Sequence, residues 1–337
     1  MKRPRVLVTR RIPEVGLQLL ERFCDLKVRG SKLPPSKGEL ISLVGEVDGI
    51  LCLLTDRIDE EVVRAGRRLR VISSYSVGFD HIDVEAATRM GIYVTNTPGV
   101  LTDATADHAW ALLMAAARRV VEADSYVRSG GWTEGWSPTL FLGESVWGKT
   151  IGLIGFGRIG IAVARRARGF HMRILYYRRE RAPAGLEEEL SAEYKPLEDL
   201  LREADFVSLH VPLTDRTWHL IDEDKLRLMK PTAILVNTSR GSVVDQRALI
   251  KALKERWIAG AGLDVFEEEP IRPGDPLLRL KNVVLTPHIG SATRETRNKM
   301  AVMAAENLIS VLKGEEPDHL VNPEVMKVRP LEKVKLL

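Results

Sequence analysis

Short apolar runs alternate with amphipathic stretches along the first hundred residues. Val6 to Thr9, Gly49 to Leu54, Val71 to Ser74 and Ile92 to Thr95 read as strands, and the segments between them space their apolar residues as helices do. That alternation predicts an α/β fold with a parallel sheet. The stretch TNTPGVLTDATADHAWALLMAAARRV then opens a long helix near Thr102, whose apolar face runs through Ala106, Trp110, Leu113 and Ala117. A helix of this length is a natural boundary between domains. Beyond a Trp- and Gly-rich link, Gly130 to Gly148, a second series begins, with strands expected near 150–154, 173–177, 205–210, 233–236, 258–263 and 283–285. A last amphipathic helix is expected over 292–312. The residues after it contain prolines and no periodicity, which predicts an extended tail on the surface over 321–337.

Composition narrows the class. With 337 residues and 45% hydrophobic content the chain exceeds what one core usually serves, so two domains are expected. The net charge of +4 is the small remainder of 50 basic and 46 acidic side chains of mixed order, which argues against nucleic acid or an anionic membrane as partner. No apolar stretch reaches the ~18 to 20 residues of a membrane span. Two cysteines, Cys24 and Cys52, sit in apolar sequence without metal-ligand spacing and read as buried thiols, from which a cytoplasmic protein without a metal is expected.

Residues 151–160 read IGLIGFGRIG, a strand followed by Gly155, Gly157 and Gly160 at the mouth of a helix. A bare GxGxxG is weak, since glycine turns are common. In this context the first glycine permits the tight turn, the second admits a pyrophosphate to the backbone, and the third lets helix and strand pack closely. The helix start, with Arg158 and Ile159, then offers N–H donors and a positive dipole end. The following strand lacks the terminal carboxylate that holds the ribose of NAD; it ends in Arg178, Arg179, Glu180 and Arg181. NADP(H) is therefore favoured over NAD(H), with attraction of a 2′-phosphate in place of its repulsion.

Five segments, SVGFDHID at 76–83, GFGRIG, LVNTSRGSVVD at 235–245, GLDVFEEEP at 262–270 and LTPHIGSAT at 285–293, carry a resemblance to the D-isomer-specific 2-hydroxyacid dehydrogenases, and among them to the glyoxylate/hydroxypyruvate reductases. The resemblance implies two Rossmann-like doubly wound domains, the dinucleotide-binding one (100–287) inserted in a substrate domain (1–99 plus 288–320). It also implies reduction of a small 2-keto acid. Such chemistry needs a clamp for the carboxylate, a proton for the developing alkoxide and a hydride held near the carbonyl carbon. Arg240 suits the clamp because its planar fork grips a carboxylate bidentately. His288 suits the acid, since an imidazole titrates near neutrality and a neighbouring carboxylate favours its charged form. Three glutamates, 267 to 269, have the look of a solvated acidic loop, but the family's acid stands directly before the proline, which selects Glu269. Also by resemblance, Val77 and Gly78 offer backbone N–H groups to the substrate carboxylate and Leu54 borders the same pocket. Asp264 faces the nicotinamide carboxamide, and Thr105, Pro212 and Thr238 line the coenzyme cleft. Apart from the resemblance, His210 and Gly290 are expected to line the same cleft.

A D-3-phosphoglycerate dehydrogenase is disfavoured because Ser74 stands where those relatives usually carry a basic residue. A formate dehydrogenase is disfavoured because Glu269 stands where those carry an amide. A dinucleotide-sensing corepressor could keep all three catalytic residues, but this chain lacks its disordered tails. A homodimer is expected through the segment from Thr102 to Gly148, where an apolar helix, Ala109 to Ala117, is followed by Trp132, Trp136, Leu140, Phe141 and Trp147, more than one coenzyme domain needs to bury.

Overall fold

The computed structural model describes residues 3–337 and divides into two compact units, Met1–Leu101 with Ala292–Leu337, and Thr102–Ser291. Each is built on one parallel sheet. In the first unit β1 (Arg5–Val8), β2 (Asp25–Val28), β3 (Gly49–Cys52), β4 (Val71–Ser74) and β5 (Tyr93–Thr95) lie in the order β2-β1-β3-β4-β5. The second unit holds β6 (Thr150–Ile154), β7 (Arg173–Tyr177), β8 (Ala192–Tyr194), β9 (Phe206–Leu209), β10 (Ile234–Asn237), β11 (Gly260–Leu263) and β12 (Val283–Leu285). Their order is β12-β11-β10-β9-β6-β7-β8, the doubly wound arrangement in which the strand order reverses between β6 and β9.

Strands β1, β3, β4 and β9 to β11 are apolar because helices cover both faces of the sheet, and nearly all their residues are fully buried. Two strands were not expected, β2 and β8. Both are sheet edges, half solvated, and Asp25, Lys27 and Glu193 interrupt their apolar character.

The long helix Arg294–Lys313 belongs to the first unit. Thr293 caps its start through Thr296 N–H, Gly314 ends it at φ 76°, and its Ala301 packs so closely on Gly16 that a β-carbon there would lie 2.8 Å from the alanine. The chain thus leaves the first sheet, builds the second unit and returns. His288 and Gly290, assigned above to the stretch beginning at 288, lie in the second unit.

The extended tail is corrected by the structure. Residues 321–337 contain a helical turn, Val325–Val328, and a 3-10 turn, Leu331–Lys333, with Val325 and Val334 fully buried. Asn322 explains why the segment docks: its Oδ1 accepts from Val94 N–H at 2.8 Å, and its Nδ2 donates to Thr88 Oγ1 at 2.8 Å and to Ile92 O at 3.0 Å. Together with a bridge between Thr95 and Leu320, this covers the open edge of β5. A buried amide with three partners is worth more than periodicity, which the segment indeed lacks.

Candidate active site

At the switch point of the second sheet the three glycines divide their work. Gly155 sits at φ 97°, and a β-carbon on it would come within 2.4 Å of His210 O, so only glycine allows the turn after β6 to pass the end of β9. Gly160 is packed against Gly155 O, 2.1 Å from where its β-carbon would be. Gly157 differs: nothing lies within 4 Å of its β-carbon position, and it begins the helix Arg158–Gly169 with no side chain capping the N–H groups and no acid in the first turn. The turn is an open cradle of backbone donors, which fits a pyrophosphate. On the adjoining strand ends, Thr238 Oγ1 is buried without a hydrogen-bond partner. His210 Nε2 meets Ser208 Oγ at 2.9 Å, and burial pushes this imidazole down to about 3, so it is neutral at ordinary pH. Pro212 O accepts from Thr217 Oγ1 at 2.6 Å.

The arginines after β7 separate. Arg181 is exposed but grips Glu187 with Nε and Nη2 at 2.9 and 3.0 Å, and Glu187 also accepts from Tyr176. Arg178 is half-buried, and Arg179 is exposed. Only these two lie without a carboxylate partner among the described residues of that turn.

Arg240, Glu269 and His288 stand on three loops of this unit, and the structure shows how two pairs of loops are joined. His288 Nδ1 lies 2.7 Å from Glu269 Oε2, while Glu269 Oε1 accepts from Phe266 N–H at 3.1 Å. With a carboxylate at Nδ1, that nitrogen carries a proton, and Nε2 is left for chemistry. Arg240 follows β10 in extended conformation, its Nη1 donating to Ser239 O at 2.9 Å and its carbonyl accepting from Asn237 Nδ2 at 2.8 Å. The next residue, Gly241, lies against the Phe266–Glu267 peptide: a β-carbon there would meet Phe266 C and O at 1.9 Å. The arginine loop and the glutamate loop are therefore in backbone contact three residues before Glu269.

Asp264 ties down the histidine loop. Its Oδ1 accepts from Thr286 Oγ1 (2.6 Å), Ile289 N–H (2.8 Å) and His108 Nε2 (3.2 Å), its Oδ2 from Gly290 N–H (2.7 Å), and its carbonyl from His288 N–H (2.9 Å). Burial pushes the carboxyl upward, but these bonds outweigh it and hold it below the ordinary carboxylate value. Both oxygens are occupied by the protein's own donors, so Asp264 acts on the backbone that carries His288, at φ 54°. Thr105 borders the same knot, near Gly290.

The first unit presents a different loop after β4. Ser76 O accepts from Thr97 N–H at 2.9 Å and Val77 O from Asn96 Nδ2 at 2.8 Å. In a trans peptide the N–H points opposite to the carbonyl, so pinning these two oxygens fixes the directions of Val77 and Gly78 N–H. Neither N–H donates to the protein among the described residues. Leu54 is half-buried in the turn after β3. Ser74 is fully buried.

Sequence reasoning missed Gly241, Asn96, His108 and Thr286. His108 was readable, since it follows Thr105 by three residues on one helix face. Asn96 carried no local signal. A further group, His219, Asp245 and Glu267, brings N and O atoms within 4.8 Å of one another; Glu267 meets Nε2 at 2.8 Å whereas Asp245 lies 4.0 Å from Nδ1. Since Glu267 also accepts from Gln246 N–H, the group is a hydrogen-bonded tether of the acidic loop.

Residues 110–290 match the family model described as D-isomer specific 2-hydroxyacid dehydrogenase, NAD binding domain. The chain is 62% identical over 331 residues to a glyoxylate reductase of Korarchaeum cryptofilum, covering 97% of this chain and 98% of the relative. It is 57% identical, again over 331 residues, to a glyoxylate reductase of Thermococcus litoralis, covering 97% and 99%. Among solved structures it resembles an NADPH-dependent glyoxylate/hydroxypyruvate reductase from Sinorhizobium meliloti in complex with NADP and malonate, at 35% identity and a TM-score of 0.85 over 96% of this chain and 98% of that one.

Proposed function

Since the chain belongs to the D-isomer specific 2-hydroxyacid dehydrogenases, we propose that it reduces glyoxylate, hydroxypyruvate and similar unphosphorylated 2-keto acids to D-2-hydroxy acids with Arg240, Glu269 and His288 as its chemical residues. The observation that carries this reading is the 2.7 Å pair of His288 and Glu269 on loops joined to that of Arg240. Glu269 holds Nδ1–H and so fixes the ring, and His288 Nε2 gives its proton to the ketone oxygen as charge develops there. Arg240 grips the carboxylate with its fork and polarises the ketone. Val77 and Gly78 offer backbone N–H groups for a substrate carboxylate, with Leu54 in the same unit. The dinucleotide, held by the Gly155–Gly160 turn, the first helical turn at Arg158 and Ile159, and the strand-end residues Thr105, His210, Pro212, Thr238 and Gly290, supplies the hydride when bound.

For the coenzyme the reading is NADPH at least as well as NADH, with Arg178 and Arg179 on the 2′-phosphate. Arg181, already gripped by Glu187, has a smaller part. Kinetics with glyoxylate and both coenzymes test the whole reading. Wild type should favour NADPH, and Arg178→Asp with Arg179→Ala should reverse the ratio; a strong wild-type preference for NADH, or an unmoved ratio, refutes it. No turnover of any small keto acid would favour a dinucleotide sensor instead.

The protein acts as a homodimer in this reading. Val120, Val121, Val127, Trp132, Trp136, Leu140, Leu142 and Trp147 are all exposed, within one stretch of 28 residues, and a second copy is the occupant such a surface fits. Monomer mass by light scattering would refute it. Buried free thiols at Cys24 and Cys52 support a reducing, cytoplasmic setting, and among the described residues no helix is long and apolar enough to cross a membrane.

A further inference from the structure

The loop after β4 is braced by more than Asn96 and Thr97. Ser76 Oγ donates to Gly78 O at 2.6 Å. A carbonyl only accepts, so the single hydroxyl proton of Ser76 is committed. Ser74 Oγ, 2.7 Å from Ser76 Oγ, must then be the donor of that pair, which commits its proton as well. The remaining contact of Ser74, with His81 Nε2 at 3.3 Å, can only be made by a proton on the imidazole. Proton counting thus gives one direction, His81 to Ser74 to Ser76 to Gly78 O. Ser74 is 0% and Ser76 5% exposed, so solvent does not compete for either hydroxyl.

The geometry assigns Ser74, Ser76 and His81 to a one-way hydrogen-bond relay that positions the substrate loop, acting on keto-acid affinity and not on the chemical step. The inference rests on the reading that Val77 and Gly78 N–H receive the substrate carboxylate. Ser76 O and Val77 O are pinned by other groups; the relay pins the third carbonyl in the row, that of Gly78. Across that same planar peptide stands Phe79 N–H, which also donates to nothing among the described residues. The relay therefore sets the orientation of the last peptide of the cradle and of a third backbone donor. Carboxylate binding by such a row depends on N–H groups being held in place before the anion arrives, because free rotation of one peptide costs affinity on binding. None of the three side chains touches the reacting atoms in this account; they are positioning residues.

The test combines kinetics with amide NMR on the full-length protein. Ser76→Ala should raise KM for glyoxylate about 2- to 10-fold, the range one hydrogen bond is worth, with kcat and coenzyme KM unchanged. Ser74→Ala should move KM the same way by less. Because Ser74 acts only through Ser76, the double variant should be no worse than Ser76→Ala alone. In the coenzyme complex of wild type, oxalate should shift the amide resonances of Val77, Gly78 and Phe79. If the Val77 and Gly78 amides respond but Ser76→Ala leaves KM unchanged, lowers kcat instead, or adds to Ser74→Ala, the relay is wrong and the cradle stands. If those two amides ignore oxalate, the cradle reading falls and the relay with it.

Discussion

The loop after β4 and the loops after β10, β11 and β12 lie at equivalent places, the carboxyl ends of parallel strands, yet they are built from different materials. The first offers backbone N–H groups and holds them with neutral partners, Asn96, Thr97 and Ser76. The second group offers side chains, and its imidazole is held by carboxylates, Glu269 on His288 directly and Asp264 through the backbone. A neutral brace fixes direction without altering charge; a carboxylate brace fixes direction and stabilises a positive neighbour. A row of N–H groups held by neutral partners suits an anion, and an imidazole held by a carboxylate suits delivery of a proton.

Substitutions that separate KM from kcat break or sharpen this contrast. The largest effect is expected at His288→Asn, which should lower kcat by about 10²- to 10⁴-fold, the span of general acid catalysis, with coenzyme affinity retained by fluorescence titration. Wild-type turnover in that variant would end the assignment. Asp264→Asn leaves a similar shape but turns one acceptor into a donor facing N–H groups; kcat should fall about 10- to 100-fold, as expected for lost bonds to a charged acceptor. An intact kcat with a raised keto-acid KM would mean that this carboxylate serves recognition, and the contrast would dissolve. Asn96→Ala should do the reverse, raising keto-acid KM about 2- to 10-fold at constant kcat.

The last test concerns acid stability and leaves turnover aside. His210 titrates at about 3 in the fold and near 6.5 when unfolded, so the unfolded chain takes up its proton first and stability is lost as pH falls from about 6.5 toward 3. His210→Gln should therefore show a smaller drop in Tm between pH 7 and pH 4 than wild type. An equal drop would assign the acid sensitivity to other groups.

How much of this was legible in the sequence follows from the range of the forces involved. Central strands announce themselves because burial on both faces demands continuous apolar runs, whereas β2 and β8, half solvated, do not. Arg240, Glu269 and His288 were readable from residue type and motif. The pairings that brace them were not, since His108 and Asp264 meet across 156 residues, and elsewhere Asn322 meets Val94 across 228. A polar residue's partner is set by topology, and no local pattern encodes it. The arginine turn shows the converse: Arg178, Arg179 and Arg181 in one short turn suggested one ligand, but Glu187, six residues on, takes Arg181.

The return of Ala292–Leu337 to the first sheet has a consequence for the order in which the molecule is made. A ribosome releases residues 102–291 as one uninterrupted block, and such blocks fold as units during synthesis. The earlier sheet must wait, because the helix Arg294–Lys313 that covers it and the Asn322 segment that closes its edge emerge last. Nascent chains from which residues up to 291 have emerged should therefore hold a folded dinucleotide unit beside a protease-sensitive segment 1–101. The unit begun first is the unit finished last.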